Sequence, residues 1–197
     1  MFIFAAKGKT VIELLDEKRL AELCSEHDRK AEEELYTRYA GRLYALCLRY
    51  SSNPDDAKDL MQDALIKALN SIGSYRYRGN GSLFAWIKRI TVNMAINRIT
   101  RQKFHFIPFD FFRMDRADDT DEDSAEMVPE KVLLKMISEL SPMKRAVFNM
   151  FCIDGYSHME IAQQLGITEN GSASILSKAK AQLKKQIKDY IRKSELQ

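Results

Sequence analysis

Cationic and amide side chains dominate the middle of this sequence. Neither Asp nor Glu occurs between Asp63 and Asp110, and Asn80, Asn93 and Asn97 lie within that interval. Eight basic residues share it: Lys67, Arg76, Arg78, Lys88, Arg89, Arg98, Arg101 and Lys103. Lys and Arg bind phosphate groups, and an amide can pair its donor and acceptor with a base edge. A solvated helix face is the alternative, but the complete absence of acids favours binding of nucleic acid.

The composition is that of a soluble globular protein. The chain has 197 residues, 45% hydrophobic and 30% charged, with a net charge of only +3, which fits one large domain or two small ones. Cys24, Cys47 and Cys152 are too few and too scattered for a disulfide framework, so we expect them to be buried as small hydrophobic residues. No apolar run approaches the ~18 residues that span a membrane, and the apolar N-terminal segment lacks the cationic start of a signal peptide. These features predict a cytoplasmic protein.

No pattern in the sequence predicts catalysis or a cofactor. His27, His105 and His158 are isolated, and Cys24 with His27 has no second ligand pair nearby, so we expect no metal site. The acidic residues lie in a predicted linker or on exposed helix faces, where no catalytic pair or triad can be argued. The glycines around Asn80 are not a dinucleotide fingerprint, because no strand precedes them and the third glycine is missing. We therefore expect neither enzyme activity nor a small-molecule substrate.

Helical periodicity positions the basic stretch at the end of an all-helical first half. The apolar spacing predicts helices over residues 11–26, 28–50, 54–72 and 82–103. Asp28 and Asn53 are natural N-caps, and Pro54 fits a first helical turn. In the fourth helix the residues expected to face the core are Phe84, Ile87, Ile90, Met94 and Ile99. Trp86 could contact a base, but the core is favoured because its neighbours continue the apolar face.

A change of composition predicts a domain boundary after the fourth helix. Residues 104–112 are rich in aromatic side chains, and an acidic run follows that contains Asp115, Asp118, Asp119, Asp121, Glu122, Asp123, Glu126 and Glu130. Such runs are usually solvated linkers. The predicted fold class is all-α, with two small helical domains, residues 1–103 and 130–197, joined by an acidic flexible linker, residues 104–129.

The second domain is predicted to contain a helix-turn-helix. Ser141 and Pro142 open one helix, which Gly155 closes. Ser157 and Glu160 fit a capping box, and the short helix that follows ends at Gly166. A basic last helix runs from residue 169 to about 192. Two helices joined by a short turn containing Gly are the helix-turn-helix pattern.

Taken together, these motifs resemble the small, extracytoplasmic-function (ECF) type of bacterial RNA polymerase sigma factor in the sigma-70 family. The stretch from Asp56 to Asp63 is similar to the family's D-A-E-D-L-x-Q-D/E segment. The run from Phe84 through Trp86, Arg89 and Asn93 to Ile96 is similar to F-x-x-W-L-x-R-I-A-x-N-x-A-I-D. The second half, from residue 140 to 167, is similar to L-P-x-x-x-R-x-V-F followed by E-G-x-S-x-x-E-I-A-x-x-L-G-I-S. The resemblance covers about residues 28–103 and 131–190.

The resemblance implies which surfaces bind which partners. The third helix would dock on the clamp coiled coil of the polymerase's largest subunit, with the second domain on the flap. The implied polymerase-binding residues are Asp56, Asp59, Leu60, Gln62 and Asp63. The loop before the fourth helix and the helix itself would recognise and open the minus-ten element of the promoter. The implied residues there are Arg78, Asn80, Ser82, Lys88, Arg89, Asn93, Asn97, Arg98 and Arg101. An anti-sigma factor is a further implied partner, and the aromatic segment 104–112 would lie on the polymerase near its active cleft.

The last helix would enter the major groove at the minus-thirty-five element, and there this sequence departs from the family. The usual Lys and Arg of the family's S-E-G-T-V-K-S-R run are Ala173 and Ile175 here. Direct readout is weakened at these two positions, so other side chains or DNA shape must contribute more. The implied contacts are Ser157, Thr168, Asn170, Ser172, Ser174, Ser177 and Lys178.

Three functions are compatible with parts of the pattern. The first is a sigma factor that binds core RNA polymerase and directs promoter-specific initiation. The second is a helix-turn-helix DNA-binding regulator that acts without polymerase docking, which leaves residues 28–103 unexplained. The third is an RNA-binding or nucleotidyl-processing enzyme, which lacks a catalytic constellation or a phosphate loop.

Overall fold

Eight α-helices form the two described parts of the chain. The computed structural model describes residues 15–103 and 128–194, and within these ranges no strand occurs. The all-α fold class is therefore confirmed. The predicted beginning of the first helix, the aromatic segment 104–112 and the acidic run that follows lie outside the described residues. Among the described helices none is both long and apolar enough to cross a membrane.

The first four helices make one unit. They are α1 (Glu17–Ser25), α2 (Arg29–Tyr50), α3 (Pro54–Ser71) and α4 (Ser82–Lys103), with a 3₁₀ turn at Ile72–Ser74. Both predicted N-caps are confirmed: Asp28 Oδ1 accepts from the Ala31 N–H at 2.9 Å, and Asn53 Oδ1 accepts from the Asp56 N–H at 2.8 Å. Each cap satisfies a backbone donor that the first helical turn leaves without a partner.

The buried face of α4 is broader than the predicted stripe. Ile87 and Ile99 are buried as expected, but Phe84, Ile90 and Met94 are only partly covered. The residues that fill the core instead are Leu83, Thr91, Val92, Ala95 and Ile96. The reason is that α4 packs against α1, α2 and α3 at once, and the second unit also contacts it. Trp86 is half-buried and packs on Tyr75, with their ring centroids 5.6 Å apart.

The last four helices make the second unit. They are α5 (Glu130–Ser138), α6 (Pro142–Phe148), α7 (His158–Leu165) and α8 (Glu169–Ser194), and a π-helical turn, Asn149–Ile153, follows α6. The predicted capping box of Ser157 and Glu160 is confirmed, and Gly166 ends α7 in the left-handed conformation with φ of 62°. Ser141 precedes α6 as predicted, but its side chain makes no capping hydrogen bond.

One apolar cluster joins the two units. It contains Leu43 of α2 and Ile87 of α4 together with Val147 and Ile161 of the second unit. A smaller cluster lies between α5 and α8 around Leu140 and Ala179. Cys24 and Cys47 are buried as predicted, whereas Cys152, which lies in the π-helical turn, is exposed. The expectation of burial was therefore wrong for Cys152.

Candidate nucleic-acid interface

Four predicted side chains form one exposed stripe along α4. Arg89, Asn93, Asn97 and Arg101 are each exposed and are spaced four residues apart. Residues four apart lie on the same helix face, and at 1.5 Å per residue the stripe extends about 18 Å. Its cations stand at the two ends and its amides in the middle. This arrangement can bind phosphates at the ends and present paired donors and acceptors between them.

The loop before α4 is held in shape by hydroxyl contacts. The Tyr75 and Ser82 hydroxyl oxygens are 2.6 Å apart, and Ser82 Oγ accepts from the Arg78 N–H at 3.2 Å. Gly79 and Gly81 have φ values of 113° and 85°, which side chains other than glycine rarely adopt. Ser82 therefore supports the loop instead of facing outward, while Arg78 is exposed.

Tyr77 is a candidate contact that sequence reasoning missed. It lies in this loop, is 42% exposed, and donates its hydroxyl to Asn80 Oδ1 at 3.1 Å. Exposed aromatic rings beside cations are the usual stacking platforms for unpaired bases. The alternation of Tyr and Arg over residues 75–78 was the signal that could have found it.

Glu17 connects α1 to the beginning of α4 and was also missed. Its Oε2 accepts from the Leu83 N–H at 3.1 Å, and its Oε1 accepts from the Tyr39 hydroxyl at 2.9 Å. Burial, together with this hydrogen bond, raises the pKa of Tyr39 to about 12. A carboxylate at a helix N-terminus satisfies a backbone donor and suits the helix dipole. No local pattern indicated this contact, because 66 residues separate Glu17 from Leu83.

Two predicted DNA-binding cations are engaged in ion pairs. Arg98 Nη2 lies 2.6 Å from Asp63 Oδ2, and Lys88 Nζ lies 2.8 Å from Asp154 Oδ1. Arg98 therefore joins the predicted DNA face of α4 to the predicted docking face of α3. Lys88 instead points to the second unit.

The predicted docking residues of α3 divide into an exposed set and a buried one. Asp59, Gln62 and Asp63 are exposed on one side, where Ile66 is 57% exposed among them. Leu60 is only 2% exposed, so it belongs to the core and offers no surface to a partner. Asp56, also exposed, is occupied at Oδ2 by the Asn53 amide at 2.8 Å. Ile66 is an apolar residue that lies off the helical spacing of the residues that α3 buries, which is the signal that could have identified it. Those buried residues are Ala57, Leu60, Met61, Ala64, Leu65 and Ala68.

In the helix-turn-helix, several residues that were predicted to contact DNA instead make hydrogen bonds within the protein. Thr168 Oγ1 accepts from the Gly171 N–H at 3.0 Å, and Ser157 takes part in the capping box. Ser172 is fully buried, and its hydroxyl lies 2.9 Å from His158 Nδ1. The His158 ring in turn stacks on Phe151, with centroids 4.4 Å apart. Ser172 is therefore not presented to DNA, contrary to the prediction from the sequence.

The remaining predicted contacts lie on the outer side of α8. Asn170 is exposed, and Ser174, Ser177 and Lys178 are half-buried. This face is poor in charged donors near the beginning of α8, since Ala173 is exposed where the resemblance expects a cation. It can contact DNA through small polar groups and the later lysines of the helix.

Comparison with known proteins agrees with this architecture. Residues 35–105 match the family model for sigma-70 region 2, and residues 130–183 match that for sigma-70, region 4. The chain is 31% identical over 172 residues to the ECF RNA polymerase sigma factor SigM of Mycobacterium tuberculosis, covering 85% of this chain and 84% of SigM. It is 29% identical over 162 residues to the ECF RNA polymerase sigma-E factor of Haemophilus influenzae, covering 77% of this chain and 84% of the relative.

A solved structure also aligns with the chain. It is the sigma factor RpoE of Bartonella quintana, crystallised with the anti-sigma factor NepR, with 22% identity and a TM-score of 0.49 over 79% of this chain and 96% of that one. The SigM relationship exceeds 30% identity over most of both proteins, and two family models match in the order that the sequence predicted. The chain belongs to the sigma-70 family, among the ECF RNA polymerase sigma factors.

Proposed function

We propose that this chain directs core RNA polymerase to promoters and opens the minus-ten element with α4 and the loop before it. The observation that carries the proposal is the exposed α4 stripe of Arg89, Asn93, Asn97 and Arg101. Its terminal arginines bind backbone phosphates, and its two amides read base edges of the opened strand.

Strand opening needs a partner for each base that leaves the stack. Unstacking a base costs a few kcal/mol, which a shaped pocket and a stacking ring offset. In this proposal Tyr77 supplies the ring, and Arg78 and Asn80 flank it in the glycine-bounded loop. Glu17 and Ser82 hold that loop against the helix bundle, so the strand meets a preformed surface.

Polymerase docking is assigned to the exposed side of α3. Asp59, Gln62 and Asp63 offer polar contacts around the exposed side chain of Ile66. An apolar centre with a polar rim is the usual composition of a protein interface. Docking here places α4 beside the polymerase, because the Arg98–Asp63 ion pair connects the two surfaces.

The second unit is assigned to the minus-thirty-five element and the polymerase flap. A helix-turn-helix places its second helix in the major groove, with the N-terminal residues of that helix toward the bases. Asn170 and Ser174 are the polar side chains available there, with Lys178 toward the phosphates. Because the chain belongs to the ECF sigma factors, an anti-sigma factor is a further proposed partner. The site of action is the cytoplasm, and the role is that of a binding subunit, not an enzyme.

Reconstitution tests the function directly. Core RNA polymerase is mixed with the full chain and a promoter library, and the 5′ ends of the transcripts are sequenced. The expected result is a set of start sites that core polymerase alone does not produce. A chain that binds library DNA but adds no start sites would instead be a regulator that acts without docking, and the proposed function would be wrong.

The docking surface is tested by Asp63→Lys. The substitution reverses the charge at the centre of the exposed α3 side and also removes the partner of Arg98, so affinity for core polymerase should fall by about tenfold or more, which corresponds to ~1.4 kcal/mol. Glu33→Lys, an equal charge change at an exposed position of α2, is the control and should bind as the wild type does. Equal affinities for the two variants in a labelled-polymerase titration would reject this surface.

A further inference from the structure

A buried carboxylate lies at the contact between the two units. Asp154 follows the π-helical turn, and its side chain is only 1% exposed. Its Oδ2 accepts from the Tyr50 hydroxyl at 2.6 Å, and its Oδ1 lies 2.8 Å from Lys88 Nζ and 3.4 Å from Arg49 Nη2. All three donors belong to the first unit, so one acidic side chain of the second unit fills a niche built by the first.

Neighbouring hydrogen bonds hold the second unit in this position. The Asn149 amide donates to the backbone carbonyl of Arg49 at 2.6 Å, and Arg145 Nη2 donates to Ser52 Oγ at 2.9 Å. Asn149 and Arg145 are both buried. Beside the carboxylate, an open cleft is lined by Lys88, Arg89 and Glu160. The niche is therefore continuous with the first residue of the α4 stripe.

The donors of the niche suit a phosphodiester as well as a carboxylate. Each anion has one negative charge and two terminal oxygens, and each accepts charge-assisted hydrogen bonds from Lys and Arg and a further one from a hydroxyl. The side chains of Lys88 and Arg49 remain 36% and 19% exposed, so an anion other than the Asp154 carboxylate can reach both cations once that carboxylate leaves. Its position next to Arg89 makes the backbone of the strand that α4 binds the natural second occupant.

We propose that Arg49, Tyr50 and Lys88 form a phosphodiester-binding site for the promoter strand, which Asp154 occupies while the two units are closed on each other. The inference rests on the proposed role of α4 in promoter opening. It assigns Arg49 and Tyr50 to DNA binding. Because one niche cannot hold both anions, strand binding and closure exclude each other and are thermodynamically coupled. The free chain then binds single-stranded DNA weakly until its second unit moves away.

The experiment measures binding of a fluorescent, mixed-sequence single-stranded oligonucleotide to the full chain at several salt concentrations. Asp154→Asn removes the competing charge, so affinity should rise by about fivefold or more, within the usual range of coupling between sites. The slope of log K against log salt should steepen by about 1.4, since each of the two freed cations adds about 0.7 on a single strand. Adding Arg49→Gln and Lys88→Gln to this variant should remove both effects.

Asp189→Asn is the matched control. It makes the same charge change at a half-exposed carboxylate of α8, 3.7 Å from Arg192, and should bind as the wild type does. Equal gains in the two variants would attribute the effect to net charge, and no gain in Asp154→Asn would show a purely structural ion pair; either result overturns the proposal.

Two further measurements keep the test decisive. If circular dichroism shows that Asp154→Asn does not fold, the double variant Arg49→Gln, Lys88→Gln is bound to core polymerase and titrated with the same oligonucleotide. Its salt slope should be shallower than that of the wild type by about 1.4, and an unchanged slope overturns the proposal. Promoter-specific transcripts from the wild-type chain test the proposed function separately, so a failure of this site leaves that result intact.

Discussion

Single side chains in this protein determine the position of the proposed DNA-binding surface on α4. Glu17 accepts hydrogen bonds from the Leu83 N–H and the Tyr39 hydroxyl, and so joins three helices through one carboxylate. Cys47, fully buried in α2, shows a different effect of the interior: burial raises the pKa of its thiol to about 12. The burial of Cys47 was predicted from its residue type, whereas no sequence motif indicates the role of Glu17, because its partners lie far away in the sequence.

Replacing Glu17 by Ala should impair promoter opening more than polymerase binding. The Leu83 N–H and the Tyr39 hydroxyl lose their acceptor, at a cost of about 1–3 kcal/mol in the free energy of unfolding, and the loop before α4 loses its anchor. Opening is measured as permanganate reactivity of unpaired thymines at a promoter selected from the library. Glu22→Ala, on the exposed side of the same helix, is the control. Equal opening by the two variants would remove Glu17 from the positioning of α4.

The buried thiol of Cys47 should make the protein sensitive to alkali. The unfolded thiol titrates near pH 9 and the folded one near pH 12, so the folded state keeps its proton longer and the free energy of unfolding decreases as pH rises between these values. This thiol contributes at most about 1.4 kcal/mol per pH unit. Urea unfolding should show a shallower alkaline decline for Cys47→Ala than for the wild type. Below about pH 8 the two curves should run parallel, and identical declines above it would contradict the assignment.

Helix boundaries at the element scale follow local chemistry. The caps at Asp28, Asn53 and Ser157 are all made as the residue types predict. Which face of a helix is buried depends instead on the elements that pack against it. The buried arc of α4 is wider than its predicted stripe because several helices pack around it, whereas α8 presents one side only and buries a narrow row.

Two glycine substitutions should change stability in opposite directions. Gly41 lies inside α2 with open space around its Cα, so Gly41→Ala should raise the free energy of unfolding by about 0.5–1 kcal/mol. Gly166 has φ of 62°, where a Cβ is strained, so Gly166→Ala should lower it by about 1–2 kcal/mol. Urea denaturation of the two variants measures both effects. A loss of stability in Gly41→Ala, or none in Gly166→Ala, would contradict the geometry.

At the scale of the whole molecule, the two units share one apolar cluster and a set of polar contacts. Asp154 and Asn149 of the second unit bond to Lys88, Tyr50 and the Arg49 carbonyl of the first. In the proposed function the two units bind separated promoter elements, and these contacts would have to break for that. Under this proposal the closed arrangement is one state of the protein, and promoter binding requires another.

Asn149→Ala tests the closed arrangement without changing any charge. The substitution removes the hydrogen bond to the Arg49 carbonyl, so closure weakens and affinity for single-stranded DNA should rise, in the same direction as for Asp154→Asn. Anisotropy titration measures the gain. Ser138→Ala, whose hydroxyl bonds only within its own helix, is the control. A gain in Asp154→Asn without one in Asn149→Ala would indicate that charge, and not opening, controls binding.

The sequence by itself determined the all-helical fold, three of the helix caps and the family. Periodicity, cap residues and motif order depend on contacts within a few residues, and these survive into the fold almost unchanged. It also indicated the cationic stretch, part of which forms the exposed stripe of α4. Its site predictions included Leu60 and Ser172, which are buried, because residue type alone does not tell which side of a helix meets a neighbour.

Only the tertiary structure decided which charges meet. Glu17 at the beginning of α4, Asp63 at Arg98 and Asp154 in the niche of Arg49, Tyr50 and Lys88 each join residues at least 35 positions apart. Such pairings follow from how helices pack around a shared core, which depends on the shape of the whole apolar surface and not on local spacing. For the same reason, the stretch without acidic residues was predicted to be uniformly basic, yet two of its cations, Lys88 and Arg98, form ion pairs with Asp154 and Asp63 from other parts of the chain.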